Sequence, residues 1–390
     1  MNASSAQIAV IGGGIIGAAI TYYLAKAGAD VVLVERGDVG SGSSTACSGA
    51  ISMQTKGAGD KLKFAMESRE MYQTLGAELG EDLEYEHEGC MIIAETPEEL
   101  EYIRNLSRKQ CEAGLDVSLL DRDELKEQQP SLSEGVIGST FCPLDGSVNP
   151  LKVTFAFVRA ARKAGARLHT FTHVNNIKVV NGQVCAVMTD RGAMNVEMVI
   201  NAAGVWAPEI GKMVGLDIPI LPRRGIMVVT EIISPMIQGS ITSAKYLMSK
   251  YGKSHGSGAG GTGTDIPGGL VIRHTKSGNL LFGSSREFVD FNRNTTWRGT
   301  IQIVQEAARI LPGLRNVNVI RTFAGLRPYT PDGLPILGIV PHPRGFIMAA
   351  GHEGDGISLA PITGKVIADL VFRGESSGML KHLSIERFKR

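Results

Sequence analysis

The segment Gln7-Ile8-Ala9-Val10-Ile11-Gly12-Gly13-Gly14-Ile15-Ile16-Gly17 decides the fold. Residues 7–11 are uncharged and read as a short buried strand, which runs straight into glycines spaced as Gly12, Gly14 and Gly17. In that spacing the first glycine permits a tight turn, the second lets backbone approach a pyrophosphate, and the third lets helix and strand pack closely. Residues 15–26 then read as a helix, and residues 30–35 as a second buried strand ending in a charge. The N-terminus of such a helix presents unpaired N–H groups and a partial positive charge to phosphate. Glu35, 18 residues after Gly17, stands where a carboxylate accepts ribose hydroxyls and repels a 2′-phosphate. Gly256, Gly258 and Gly261 repeat the spacing without a preceding strand or a following helix, so they read as linker composition.

Two features extend this dinucleotide site toward FAD rather than NAD. After Glu35 the run Gly40-Ser41-Gly42-Ser43-Ser44-Thr45 offers small hydroxyl residues to continue along a pyrophosphate. Near the other end, Ala350-Gly351-His352-Glu353-Gly354-Asp355-Gly356 joins a strand to a helix, a second helix N-terminus suited to the negative N1/C2=O locus of a flavin. A nicotinamide enzyme needs no such second terminus. An NAD-dependent dehydrogenase and a non-catalytic subunit braced by FAD stay open as readings of another class.

Beyond the first βαβ unit, helices are expected at residues 61–79, 97–111, 121–128, 149–164, 300–311 and 356–372. Strands are expected at 90–94, 167–172, 198–201, 224–232, 269–273, 280–284, 317–321 and 346–350, with a hairpin at Asn181-Gly182. The mixture of parallel and hairpin signals implies an α/β chain: a Rossmann-like FAD-binding domain with an interleaved, mainly antiparallel-sheet substrate domain of α+β type. The expected division assigns residues 1–85, 150–220 and 320–375 to the first, 86–149 and 221–319 to the second, and 376–390 to a tail. Residues 254–268 are mostly Gly, Ser, Thr and Ala and read as a flexible loop or lid.

With 390 residues, two domains are the natural expectation. Forty Lys and Arg against 39 Asp and Glu give a net charge of +1, so no overall field draws the chain to nucleic acid or an anionic membrane. The five cysteines form no CxxC pair, which points away from zinc, iron–sulfur clusters and disulfides, reads as buried hydrophobes, and makes a reducing cytoplasm the expected location. The uncharged run 8–25 is broken by four glycines and is no membrane span.

The motif at 11–17, Asn201-Ala202-Ala203-Gly204-Val205-Trp206 and above all Gly325-Leu326-Arg327-Pro328-Tyr329-Thr330-Pro331-Asp332-Gly333-Leu334-Pro335 together resemble the D-amino acid oxidase, glycine oxidase and sarcosine oxidase superfamily of FAD amine oxidoreductases. Within it, the ending 351–361 looks most like the FAD-carrying β subunits of hetero-oligomeric dehydrogenases for hydroxyproline, proline or opines. The resemblance implies that Gly12, Gly14, Gly17, Glu35 and Arg36 hold the ADP portion, and that Ser43, Ser44, Ser48 and Gly49 follow the pyrophosphate and ribityl chain. It places Val174, Gly204 and Trp206 at the adenine end and Gly354, Asp355, Gly356 and Ile357 against the flavin ring. Ile15, Ile16, Ala50, Ala203 and Gly325 complete the implied cofactor contacts. Some relatives attach a flavin covalently, to a late cysteine or to a histidine ahead of the central helix. Here no cysteine follows Cys185 and the second region reads Gly146-Ser147-Val148-Asn149, so FAD is expected to be non-covalent, and any FMN to sit at a partner-subunit interface.

The implied reaction is oxidation of the C–N bond of a small amino acid or secondary amine, with the Cα hydrogen leaving as hydride to flavin N5. Such a site needs an anchor for the substrate carboxylate, and Arg327, set among glycine and proline in a constrained loop, matches that role in glycine oxidase-like relatives. His352 and Glu353 are a second candidate catalytic pair, able to tune the ring or meet an amine. Arg223-Arg224, ahead of a strand, could face substrate, a partner or water, and the solvent-facing reading is preferred. The resemblance to β subunits, with no second redox centre in the chain, implies partner subunits that take the electrons; the segment 286–298, with Arg286, Arg293 and Arg298 around Phe288, Phe291 and Trp297, is one candidate contact and the loop 254–268 another. A self-sufficient oxidase using oxygen is the alternative.

Overall fold

The computed structural model describes residues 4–251, 268–374 and 378–389 of the chain. The expected glycine-rich loop and the second glycine motif lie outside the described residues, apart from Gly268, which opens a strand. Strand Ile8–Ile11, helix Ile15–Lys26 and strand Val31–Val34 form the βαβ unit read from the sequence. Both strands are fully buried, which is why they carry apolar residues at every position rather than at alternate ones.

These two strands sit inside a six-stranded sheet ordered Ile336–Ile339, Phe346–Ala350, Met198–Asn201, Ile8–Ile11, Val31–Val34, Arg167–His169. All its pairings are parallel except that between Ile336–Ile339 and Phe346–Ala350. Helices Ile15–Lys26, Pro150–Lys163, Asp60–Leu79 and Gly356–Arg373 pack together on this sheet, and Tyr22, Leu24, Phe64, Tyr72 and Phe157 fill the space between them. A parallel sheet places the helix N-termini that follow its strands at one edge, and ligands bind there.

An eight-stranded sheet follows the order Val319–Tyr329, Leu221–Ile232, Asn279–Ser285, Gly268–His274, Ser240–Ser243, Cys90–Ala94, Gly138–Cys142, Ser118–Leu120. Only Ser240–Ser243 against Cys90–Ala94 is parallel, so the expected, mainly antiparallel character holds. The strand Val319–Tyr329 starts two residues later than expected and continues far beyond residue 321, pairing with Leu221–Ile232 from one end to the other. The helix expected at 121–128 opens on a capping box formed by Asp121 and Glu124, and the expected hairpin is turned by Asn181 (φ 52°) and Gly182 (φ 74°) between Val174–Val180 and Gln183–Thr189. Among the described residues no helix is long and apolar enough to cross a membrane.

Candidate functional site

A cavity of about 560 Å³ runs from the glycine turn to the paired strands Leu221–Ile232 and Val319–Tyr329, at Gly225 and Met227 of the first and residues 325–328 of the second. Its first end is the dinucleotide motif. Gly12 has φ 113°, and a Cβ there would stand 2.5 Å from the Ala202 carbonyl oxygen, so only glycine fits the turn. Gly17 does not line the cavity; a Cβ at 17 would meet the Gly12 oxygen at 1.9 Å, which is the helix-against-strand packing the spacing called for. The Glu35 carboxylate accepts the Gly13 N–H at 2.6 Å and the Gly37 N–H at 2.7 Å, so it braces the glycine turn as well as facing the cavity. Ser44 Oγ accepts the Ile15 N–H at 2.9 Å, and Ser43 Oγ donates to the Leu326 carbonyl. Arg36 lies over the Trp206 ring at 3.8 Å, Trp206 stacks on Phe291 at 5.8 Å, and Val174, Ala203 and Gly204 share that end of the wall.

Replacing Glu35 by Ala should weaken FAD retention by about 1 to 3 kcal/mol, because a half-buried acceptor of two backbone donors and, with it, the expected ribose contact are lost together. Dialysis against flavin-free buffer measures it, and undiminished retention would move the ribose partner elsewhere.

At the other end the helix Gly356–Arg373 begins with Gly356 and Ile357 on the cavity wall. Its N-cap, Asp355, makes no side-chain cap. The Asp355 carboxylate is instead held by Lys56 at 3.1 Å, Lys61 at 2.6 Å and Lys250 at 3.1 Å. Burial alone would raise its pKa, but Lys250, Lys56 and Lys61 hold it well below the ordinary carboxylate range. The first-turn N–H groups are thereby left for a ligand, and their dipole suits an electron-rich flavin edge. Asp355 itself is off the wall, as are Gly49 and Ala50, which shape the adjoining turn and its short ladder with Gly146–Ser147. Ser48, Ile15, Ile16, Gly325 and Gly354 line the cavity.

Arg327 lies within the strand Val319–Tyr329, not in a loop, and lines the cavity. Its Nη1 donates to the Ser285 carbonyl at 2.9 Å and, at 3.4 Å, to that of Arg224. Among the described residues no carboxylate pairs with it. Its neighbours differ. Arg223 and Arg286 are both 5% exposed and share the Glu353 carboxylate, while Arg224, 3% exposed, binds Glu287 at 2.8 Å and the Asn294 carbonyl at 2.8 Å. The solvent-facing reading of Arg223 and Arg224 is therefore corrected: their acids stand 130 and 63 residues away in sequence. His352 and Glu353 are likewise buried and both reach the wall. Burial, with Lys61 adding to it, pushes the His352 imidazole down to about 3, so it is neutral, and its Nε2 lies 3.1 Å from Thr363 Oγ1.

Other residues of the site had no legible signal. Tyr246, from the helix Ala244–Tyr251, lines the cavity with Arg286 stacked 4.4 Å over its ring. Burial raises its phenol pKa, yet Arg286, Lys250 and Arg327 outweigh that and leave it lowered. Lys56 did leave a trace, as the single charge between residues 39 and 59. The cysteines are not uniformly buried: Cys111 is exposed, and Cys47 and Cys185 are half-buried. Cys47, on the cavity wall, donates to the Ser44 carbonyl at 3.2 Å, and burial raises its thiol pKa, so it is a poor nucleophile toward a flavin. Among the described residues no cluster of metal-binding side chains occurs.

The family model described as "FAD dependent oxidoreductase" matches residues 7–370. The chain belongs to that family. It is 32% identical over 98% of its length to a glycine oxidase of Geobacillus kaustophilus, of which the match covers 97%. The solved glycine oxidase of that organism superposes with a TM-score of 0.89 at 30% identity, covering 99% of this chain and all of the other. An L-proline dehydrogenase from P. horikoshii gives 0.88 at 27% identity, covering 100% of this chain and 99% of the other. FAD is thus the cofactor, and the uncapped helix N-terminus, the glycine turn and the Glu35 carboxylate fit its two ends. The NAD alternative falls.

Proposed function

We propose that this flavoenzyme oxidises the C–N bond of a small amino acid or secondary amine, with Arg327 binding the substrate carboxylate and FAD held non-covalently. One observation carries the reading: of the four arginines gathered here, Arg327 alone faces the cavity with no carboxylate partner among the described residues. A guanidinium offers a carboxylate two parallel charge-assisted bonds. Relatives whose names specify glycine and L-proline support an amino-acid substrate. When bound, FAD supplies the two-electron acceptor for the Cα hydrogen. The residues around it position the substrate and set its protonation. The field of Arg286, Lys250 and Arg327 that lowers the Tyr246 phenol also favours an uncharged amine, so no dedicated base is required.

For the electron acceptor, the exposed Phe288 (51%) and Phe291 (46%) near the cavity support delivery to a partner subunit. The identity to a glycine oxidase favours a second reading, direct reaction with oxygen. Anaerobic addition of glycine, N-methylglycine, D- and L-amino acids, hydroxyprolines and opines should bleach the flavin with at least one of them. A flavin that none of them bleaches would leave a non-catalytic FAD-binding subunit as the reading. Reoxidation of the bleached protein by a dye much faster than by air supports the partner; equal rates remove it.

A further inference from the structure

We propose that Gly225 is the seat of Arg327: the absent side chain lets the guanidinium lie on the backbone of the strand Leu221–Ile232 and turn its Nε–Nη2 edge to a carboxylate. The inference rests on the carboxylate role of Arg327 given above. Arg327 stands directly opposite Arg223 in the antiparallel pair, and Gly225 opposite Gly325. Side chains alternate along a strand, so Arg223 and Gly225 share the face onto which Arg327 projects, and Gly225 is its diagonal neighbour. A Cβ on residue 225 would stand 2.2 Å from Nη2, 2.4 Å from Nη1 and 2.5 Å from Cζ of Arg327. The guanidinium occupies the place of the missing side chain. Its Nη1 is pinned there by the carbonyls of Ser285 and Arg224, which leaves Nε and Nη2 as the fork.

The glycine is not required for its backbone angle, since residue 225 lies outside the left-handed region. It is required for space, and the obstacle is the far end of a flexible side chain. Gly325, across the strand pair, differs: a Cβ there would meet the Ala46 carbonyl oxygen at 2.5 Å, which is backbone and cannot swing aside. Alanine at 225 therefore leaves the fold intact and displaces the guanidinium from its two carbonyls. Gly225 is a positioning residue that acts through Arg327.

The test compares the FAD-loaded parent, Gly225→Ala, Arg327→Lys and the double variant. Acetate, a bare carboxylate, is titrated by flavin absorbance and by the shift in melting temperature it produces. Kinetics use the amine that bleaches the flavin fastest. Gly225→Ala should keep the parent's melting temperature without ligand and its flavin spectrum, weaken acetate about tenfold or more, and raise KM more than it lowers kcat. In the double variant the two losses should not multiply, because both remove one placed guanidinium. Gly225→Ala with normal acetate affinity, losses that multiply, or a Gly225→Ala protein that does not fold would each overturn the inference. If Arg327→Lys itself binds acetate and substrate normally, the carboxylate reading fails first. An Arg327→Lys defect beside a normal Gly225→Ala sinks the seat alone.

Discussion

Arg327→Lys is expected to lower kcat/KM by about 2 kcal/mol or more of transition-state stabilisation, roughly thirtyfold, while the flavin spectrum and the fold change little. Lysine keeps the positive charge, so what it removes is the planar fork. It also loses the hold of the Ser285 and Arg224 carbonyls on Nη1, so a lysine ammonium is not fixed in the same place. Because Arg327 has no acid partner among the described residues, the substitution orphans no buried carboxylate, and stability should fall far less than activity. Steady-state kinetics beside thermal unfolding separate the two. A variant with parental kcat/KM would take the carboxylate role away from Arg327, and no neighbouring arginine stands ready for it, since Arg223 and Arg286 share Glu353 and Arg224 holds Glu287 and the Asn294 carbonyl.

What could be read in the sequence was what is decided locally. The helix Ile15–Lys26 follows its glycine turn, and the hairpin at Asn181-Gly182 follows from residues that accept positive φ. Arg327 was legible as a candidate from its motif, but its surroundings were not. Gly325 and Pro328 suggested a loop, yet proline is compatible with a strand at a sheet edge, where its missing N–H breaks no ladder bond, and Val319–Tyr329 is such an edge. The arginines and lysines were harder still. Arg223, Arg286 and Glu353 come from three separate segments, as do Lys56, Lys250 and Asp355. A basic residue whose acid lies a hundred positions away looks solvated until the fold brings the two together. Burial of these groups is what makes the site an electrostatic one, because in a low dielectric an unpaired charge is too costly to leave without a purpose.

Glu353→Gln is expected to cost about 3 to 5 kcal/mol of unfolding free energy at pH 7, since it takes from Arg223 and Arg286 the buried carboxylate they share. Three further facts make the site intolerant. Glu353 has φ 53°, a left-handed conformation that a side-chain-bearing residue holds only when its surroundings impose it. Its N–H donates to the Pro328 carbonyl at 3.1 Å, and its Oε2 accepts the Gly354 N–H at 2.6 Å, so the side chain also fixes the loop beside the flavin-facing helix. Burial would raise its pKa, but Arg286 and then Arg223, Lys250 and Arg327 reverse that and hold it well below the ordinary range. A carboxyl depressed in the folded state contributes stability above its unfolded pKa, about 4.3, and loses it as pH falls toward the folded value. The difference between parent and variant should therefore be constant from about pH 6 to 8 and shrink below about 4.3. His352, neutral in the fold with its pKa down at about 3, also loses stability below the unfolded histidine value of about 6.5. It does so in both proteins and cancels in the difference. Urea unfolding of the two FAD-loaded proteins across this range measures it; a variant as stable as its parent at pH 7, or a gap that widens on acidification, would show that Glu353 is not the counter-ion of this cluster.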